Sequence, residues 1–229
     1  MLEPIDTEKK LKKIRKAYDS PPWWYDIRGF FILKLSYNDS LIQQIRFFGQ
    51  NTGGSHLEAA IGTGTLAKMI YLYNVYIQRK PKWHGYGFDY SDEMLEGSRQ
   101  KFKDTGFEMV LADVGKLPFE NGQFSTINVA NALHCFPELD QAIKELYRVL
   151  SRDGSLYVNV ILYPNEKTFF GHIAKRISDW GMKKGILYRP YYQDEIIDAF
   201  KNQNFTIVSA QRSGNSLNLI LDKQRNSLH

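Results

Sequence analysis

The chain has 229 residues, 43% of them hydrophobic and 24% charged, with one cysteine and a formal net charge of +5. That length buries one full core with embellishments, and no stretch approaches the roughly 18 consecutive apolar residues of a membrane span. The lone Cys135 excludes an internal disulfide or a cysteine zinc cluster, and the charge excess is too small to name a partner.

The opening MLEPIDTEKKLKKIRK is charged throughout and has no secretory apolar core, which points to the cytoplasm. Leu11, Ile14 and Tyr18 then fall at helical spacing among lysines and arginines, which predicts a basic amphipathic helix. Pro21 and Pro22 stop it, the aromatics Trp23, Trp24 and Tyr25 follow, and Asn38, Asp39 and Ser40 offer caps for a helix over LIQQIRFF that Gly49 can end. Residues 1–50 read as a helical N-terminal extension.

From residue 55 the text alternates apolar runs with amphipathic helices, the pattern of a parallel sheet covered on both faces. Strands are predicted over His56 to Ile61, Trp83 to Asp89, Phe107 to Ala112, Phe124 to Ala130 and Ser155 to Ile161. The helix LDQAIKELYRVL sets Leu139, Ala142, Ile143, Leu146, Val149 and Leu150 on one face. An insertion over 162–192 reads as a lid above the sheet, and residues 193–229 as a helix (QDEIIDAFKN) and an antiparallel hairpin (FTIVSAQ and SLNLILD) closing on RSGN.

The densest chemistry lies in HLEAAIGTGTLAKM, where a strand runs into Gly62, Thr63 and Gly64 and then a helix. Glycines there let the backbone turn tightly and approach a ligand, and the helix start offers free N–H groups. The segment also satisfies the dinucleotide pattern GxGxxA with Ala67 last, so a nicotinamide or flavin enzyme stands as an alternative. Glu58 argues against a pyrophosphate at this turn and for an ammonium or sulfonium group. Asp89 can accept both hydroxyls of a ribose, in either class, and Asp113 can accept from an adenine amine.

In this order, Glu58, Gly62, Gly64, Asp89, Asp113, then FSTINVANALHCFPELDQAIKELYRVLSRDGSLYV, the chain resembles class I S-adenosylmethionine-dependent methyltransferases of the small-molecule type, similar to quinone-biosynthesis and natural-product enzymes. The resemblance covers residues 55–160, the cofactor-binding core, and continues loosely to the C-terminus. It implies an α/β Rossmann-like methyltransferase sandwich spanning 1–229 as one domain, with a mostly parallel seven-stranded sheet, a C-terminal antiparallel hairpin and helices on both faces. It implies S-adenosyl-L-methionine as cofactor, S-adenosyl-L-homocysteine as product, and no metal. Glu58 and the backbone of Ala60, Gly62, Thr63 and Gly64 would hold the methionine moiety, Asp89 the ribose, and Asp113 with Val114 the adenine. Tyr90 and Met94 would wall the adenosine, and Asn131 and Ala132 would lie near the reactive methyl. The family usually has glycine where Ala60 stands and an acid where Ser125 stands.

On the acceptor side, His134 is the candidate general base, and Tyr18, Trp23, Trp24, Tyr25, Phe169, Trp180, Tyr191 and Tyr192 are candidates for enclosing a small acceptor. The strand-end ANAL is not the Asn/Asp-Pro-Pro-aromatic motif of many amino-group methyltransferases, which leaves O-, C- or N-methylation of a metabolite. Alternatives are an RNA-directed enzyme using the basic N-terminal helix with Lys175, Arg176, Lys183, Lys184 and Arg189, or a catalytically degenerate binding protein. Nucleic acid is disfavoured, and the basic segments are also compatible with transient contact with a membrane surface. No residue pattern sets the oligomeric state.

Overall fold

Strand β1 (His56–Ala59) is buried at all four positions, as expected of a parallel strand with helices on both sides. It sits inside a seven-stranded sheet of order β3-β2-β1-β4-β5-β7-β6. The computed structural model describes residues 40–164, 175–176, 179–180, 182–183 and 189–224. The sequence expectations for Tyr18, Trp23, Trp24, Tyr25 and Phe169 lie outside them. Strands β2 (Gly85–Asp89), β3 (Phe107–Leu111), β4 (Phe124–Val129) and β5 (Leu150–Ile161) continue the parallel set, and β6 (Phe205–Ser213) and β7 (Ser216–Lys223) form the expected hairpin, β7 pairing antiparallel to β5. The chain steps outward from β1 through β2 to β3, then returns to the other side of β1 as β4. That reversal opens a crevice at the carboxyl ends of β1 and β4, where α/β sheets bind ligands.

Strands β3 and β4 each end one residue before the sequence reading places them, and three other boundaries depart by more. β1 stops at Ala59 because Ala60 turns into the left-handed region, at φ 50°. Trp83 lies before β2 and packs its ring 4.8 Å from that of Tyr71. β5 begins at Leu150, directly after the preceding helix, because Leu150 already pairs with Phe124; the register then shifts before Thr126 meets Ser155.

Helix α1 (Leu41–Gln50) follows Ser40, which is extended but makes no side-chain cap, and it runs through Gly49, where a Cβ would meet the Asn74 amide at 3.2 Å. Helix α2 (Thr65–Leu72) continues as a π-helical turn (Tyr73–Ile77). Ser91 Oγ accepts from Met94 N to cap α3 (Asp92–Phe102), with acids in the first turn and Arg99 and Lys101 in the last, which suits the helix dipole. Helix α4 (Leu139–Val149) buries Ala142, Ile143, Leu146 and Val149 as its periodicity requires, and α5 (Gln193–Asn202) buries Ile196 and Phe200.

The two sheet faces differ in chemistry. Leu57, Ile127, Val129, Leu156, Val158, Leu219 and Leu221 point to one face and meet α4 and α5 in an aliphatic core, all fully buried. Each such side chain contributes about 1.5–3 kcal/mol of burial. The alternate residues His56, Glu58, Asn128 and Asn159 point to the other face, under α1, and are also buried. Among the described residues no helix is long and apolar enough to cross a membrane, and no cluster of His, Cys, Asp or Glu could hold a metal.

Candidate cofactor site

The β1–α2 loop turns left-handed three times in five residues, at Ala60 (φ 50°), Gly62 (φ 58°) and Gly64 (φ 74°). It is pinned from several sides. Ile61 N donates to Phe88 O at 2.9 Å, Gly62 N to Asp89 Oδ2 at 2.9 Å, Ser98 Oγ to Gly62 O at 2.6 Å and Lys101 Nζ to Thr63 O at 2.9 Å. A Cβ on Gly62 would meet nothing within 4 Å, whereas one on Gly64 would strike Ser98 Oγ at 2.9 Å and its Cα at 3.2 Å. Gly62 therefore leaves open space before the loop, and Gly64 lets α2 start tight against α3.

Asp89, at the end of β2, uses its two oxygens to fix backbone: Oδ2 accepts from Gly62 and Oδ1 from Ser91 N at 3.0 Å. Burial raises its pKa, opposed by the N–H groups of Ser91, Gly62 and Tyr90. A carboxylate oxygen accepts more than one hydrogen bond, so both retain capacity for a diol. Asp113, past β3, accepts from Gly115 N at 2.8 Å and pairs with Lys116 in a short bridge, which shapes the turn beside Val114.

Under the loop, Glu58 Oε1 accepts from Asn128 Nδ2 at 3.0 Å and lies 2.9 Å from His56 Nε2, while His56 Nδ1 is 2.7 Å from Thr126 Oγ1. Asn51 Nδ2, at the end of α1, donates to Asn128 Oδ1 at 3.1 Å. A second amide set lies at the end of β4. Asn131 is left-handed at φ 55°; its N–H donates to Asn159 Oδ1 at 2.6 Å and its Oδ1 accepts from Asn159 Nδ2 at 2.9 Å. Gln44 of α1 exchanges amide bonds with Asn131 at 3.0 and 3.3 Å.

A model of the methyltransferase domain family matches residues 57–158. A demethylmenaquinone methyltransferase of Thermotoga maritima is 33% identical over 167 residues, covering 66% of this chain and 69% of the relative. The chain belongs to the class I S-adenosylmethionine-dependent methyltransferases. A second demethylmenaquinone methyltransferase, from Thermus thermophilus, is 32% identical over 139 residues, 60% of this chain and 54% of its own length. The chain thus spans between 54% and 69% of these two relatives. A solved S-adenosylmethionine-dependent methyltransferase of Thermotoga maritima shares the fold at TM-score 0.62 and 16% identity, over 89% of this chain and 99% of that one.

S-adenosylmethionine is the cofactor of this methyltransferase, and the crevice fits it: an open face at Gly62, an acid at each of the two neighbouring strand ends, and a buried acid beneath the loop. Of the residues expected around it, Tyr90 is 40% exposed, while Met94, in the first turn of α3, is 1% exposed. Thr63 and Ala132 are buried, and Asn131 is half-buried. Ser125 lies at the far end of β4, where its Oγ donates to Ser55 O at 3.1 Å, so its exchange for an acid bears on strand support.

His134 sits in the short 3₁₀ turn (Leu133–Cys135) after β4 and is buried. Burial pushes its pKa down to about 3, so the ring is neutral through the physiological range and a poor proton acceptor. Among the lid candidates, Trp180 is 45% exposed and Tyr192 66% exposed, its ring 4.6 Å from that of Tyr163. Tyr191 is a core residue instead: its parallel bridge to Leu162 turns the ring inward, where it is 1% exposed under the Arg189 guanidinium at 4.4 Å. Arg189 is also bound to Glu195, at 3.1 Å through Nη1, and so does not stand free as a phosphate ligand.

The sequence reading missed His56, Asn128, Asn51, Asn159 and Gln44. The signal was present as polar residues at alternate strand positions, His56 with Glu58 and Asn128 opposite Glu58 in register. Period-two alternation places them on one face, but only the arrival of α1 shows that this face is closed.

Proposed function

We propose that this methyltransferase transfers the methyl group to a ring carbon of a reduced quinone. The reading is carried by the relatives named demethylmenaquinone methyltransferase, which align over most of the described core. S-adenosylmethionine, when bound, supplies an electrophilic methyl carbon with a thioether as leaving group. The chain's task is then alignment and exclusion of water. The Asp89 carboxylate accepts from the ribose hydroxyls, the turn at Asp113 and Val114 takes the adenine edge, and the backbone of residues 60–64 receives the methionine end. Glu58 commits Oε1 to His56 and Asn128, which leaves Oε2 to draw the ammonium group.

Asn131, clamped by Asn159 and Gln44, forms with Ala132 the wall between cofactor and acceptor. There an electron-rich ring carbon would receive the methyl group with the thioether as leaving group, and the displaced ring proton would leave to solvent, which restores aromaticity. The low basicity of a buried His134 suits it poorly to hold the acceptor's proton.

The test is an incubation of the full chain with S-adenosylmethionine and a prenylated 1,4-naphthoquinone lacking the ring methyl, with and without a reductant. The expected outcome is S-adenosylhomocysteine and a ring-methylated product only under reduction. Normal binding of S-adenosylhomocysteine with no turnover of the reduced acceptor would remove the quinol reading and leave the family assignment intact.

A further inference from the structure

The outer face of the α1–α2 layer combines two features that the cofactor site does not use. Between Ser40 and Phe88 the sequence contains five cations, Arg46, Lys68, Arg79, Lys80 and Lys82, and a single acid, Glu58. Glu58 is 5% exposed beneath the helices, so this segment presents no carboxylate outward. Lys68 lies over the Tyr71 and Phe102 rings with Asp104 nearby, and Lys80 Nζ donates to Gly49 O at 2.9 Å. Arg46, Arg79 and Lys82 form no ion pair among the described residues.

Of the ten large apolar side chains left exposed among the described residues, five stand on this layer: Ile42, Met69, Leu72, Tyr76 and Ile77. Met69, Leu72 and Tyr76 follow a spacing of three and four, which is one stripe of a helix. The π-helical turn over Tyr73–Ile77 closes the stripe with Tyr76 and Ile77, 59% and 68% exposed, and the chain leaves it through Arg79, left-handed at φ 57°. The strongest apolar exposure is thus within a few residues of the cations Arg79 and Lys82.

We propose that this face docks the protein on an anionic lipid bilayer, with Met69, Leu72, Tyr76 and Ile77 entering the headgroup layer and Arg79 and Lys82 at the level of the phosphates. An apolar stripe bordered by cations is the pattern that binds such an interface. A second copy fits worse, because a two-fold contact through this face brings like charges together. Nucleic acid fits worse as well, since three of the four stripe residues are not aromatic and have no base to stack on. The link to catalysis rests on the proposed quinol acceptor, which would dissolve in the same bilayer; the docking itself does not.

The test is co-sedimentation of the full chain with vesicles of phosphatidylcholine alone and of phosphatidylcholine doped with phosphatidylglycerol. Wild type is expected to partition onto the doped vesicles, less so in high salt, and not onto the neutral ones. The double variants Tyr76→Ser with Ile77→Ser and Arg79→Glu with Lys82→Glu should each lose roughly tenfold or more of that partitioning. Their melting temperature and S-adenosylhomocysteine binding should stay at the wild-type value. Absence of wild-type partitioning, or variants that partition as wild type does, would overturn the proposal, and so would RNA retention that the same variants abolish in place of vesicle binding. Intact partitioning with no turnover of the reduced naphthoquinone would instead remove the acceptor reading alone.

Discussion

Replacing Ala60 by glycine tests the loop geometry on which the cofactor site depends. Ala60 is held at φ 50°, where a residue with a Cβ is strained by roughly 1–2 kcal/mol. Glycine removes that strain but adds about 0.4–1 kcal/mol of freedom to the unfolded chain, which leaves a net gain of about 0.5–1 kcal/mol. For a chain of this size each kcal/mol moves the melting temperature by roughly 2–4 °C, so Ala60→Gly should melt about 1–4 °C higher by calorimetry. Removing the methyl group also widens the crevice beside the loop, so titration with S-adenosylhomocysteine should report tighter binding. A variant that melts at or below wild type would refute the reasoning, because strain at residue 60 would then not be relieved by glycine.

Three further outcomes follow from particular bonds. Asn159→Leu leaves the Asn131 N–H without its 2.6 Å acceptor, and it should destabilise the fold by about 2–3 kcal/mol in urea titration while loosening the wall beside the acceptor. Arg148→Lys gives up a guanidinium that binds Glu145, Phe119 O, Leu117 O and Asn121 at 2.7–2.9 Å, so the loop that carries Asp113 should unfold earlier in hydrogen exchange, at a cost of about 1–2 kcal/mol. His134 is neutral in the fold down to about pH 3, whereas the unfolded chain protonates it near its ordinary value of 6.5. Below pH 6.5 the unfolded state therefore takes up a proton that the folded state refuses, and stability falls with pH toward 3, by about 3 kcal/mol at pH 4. His134→Gln should flatten that slope in stability measured between pH 7 and 4, and an unchanged slope would refute the assignment.

Much of the architecture was legible because its signals are local. The periodicity of LDQAIKELYRV and QDEIIDAFKN matches α4 and α5 in the structure, and the turn after β6 falls within RSGN. Boundaries moved where a tertiary partner intervened: Leu150 looks like the last helical residue in sequence, yet Phe124 recruits it into a strand. The tight loop after β1 was legible for a similar reason, since Gly62 and Gly64 announce a backbone that turns left-handed. The buried amides were not, because Asn128 or Asn159 in a strand reads the same whether it meets water or another amide. Tyr191 was placed in the lid by its aromatic neighbours, and only its pairing with Leu162 draws it into the core.

Helix α1 gives those amides a further meaning. The segment that matches the family model begins at residue 57, after α1 has ended, yet α1 supplies Gln44 to the wall at Asn131 and is followed by Asn51, which completes the set around Glu58. A protein trimmed to the matching segment would keep Glu58, Gly62, Gly64, Asp89 and Asp113 and lose the partners of its buried polar layer. The segment that matches the family model and the segment that closes its buried polar layer are therefore not the same length of chain, and a fragment for biochemical work should begin before Ser40.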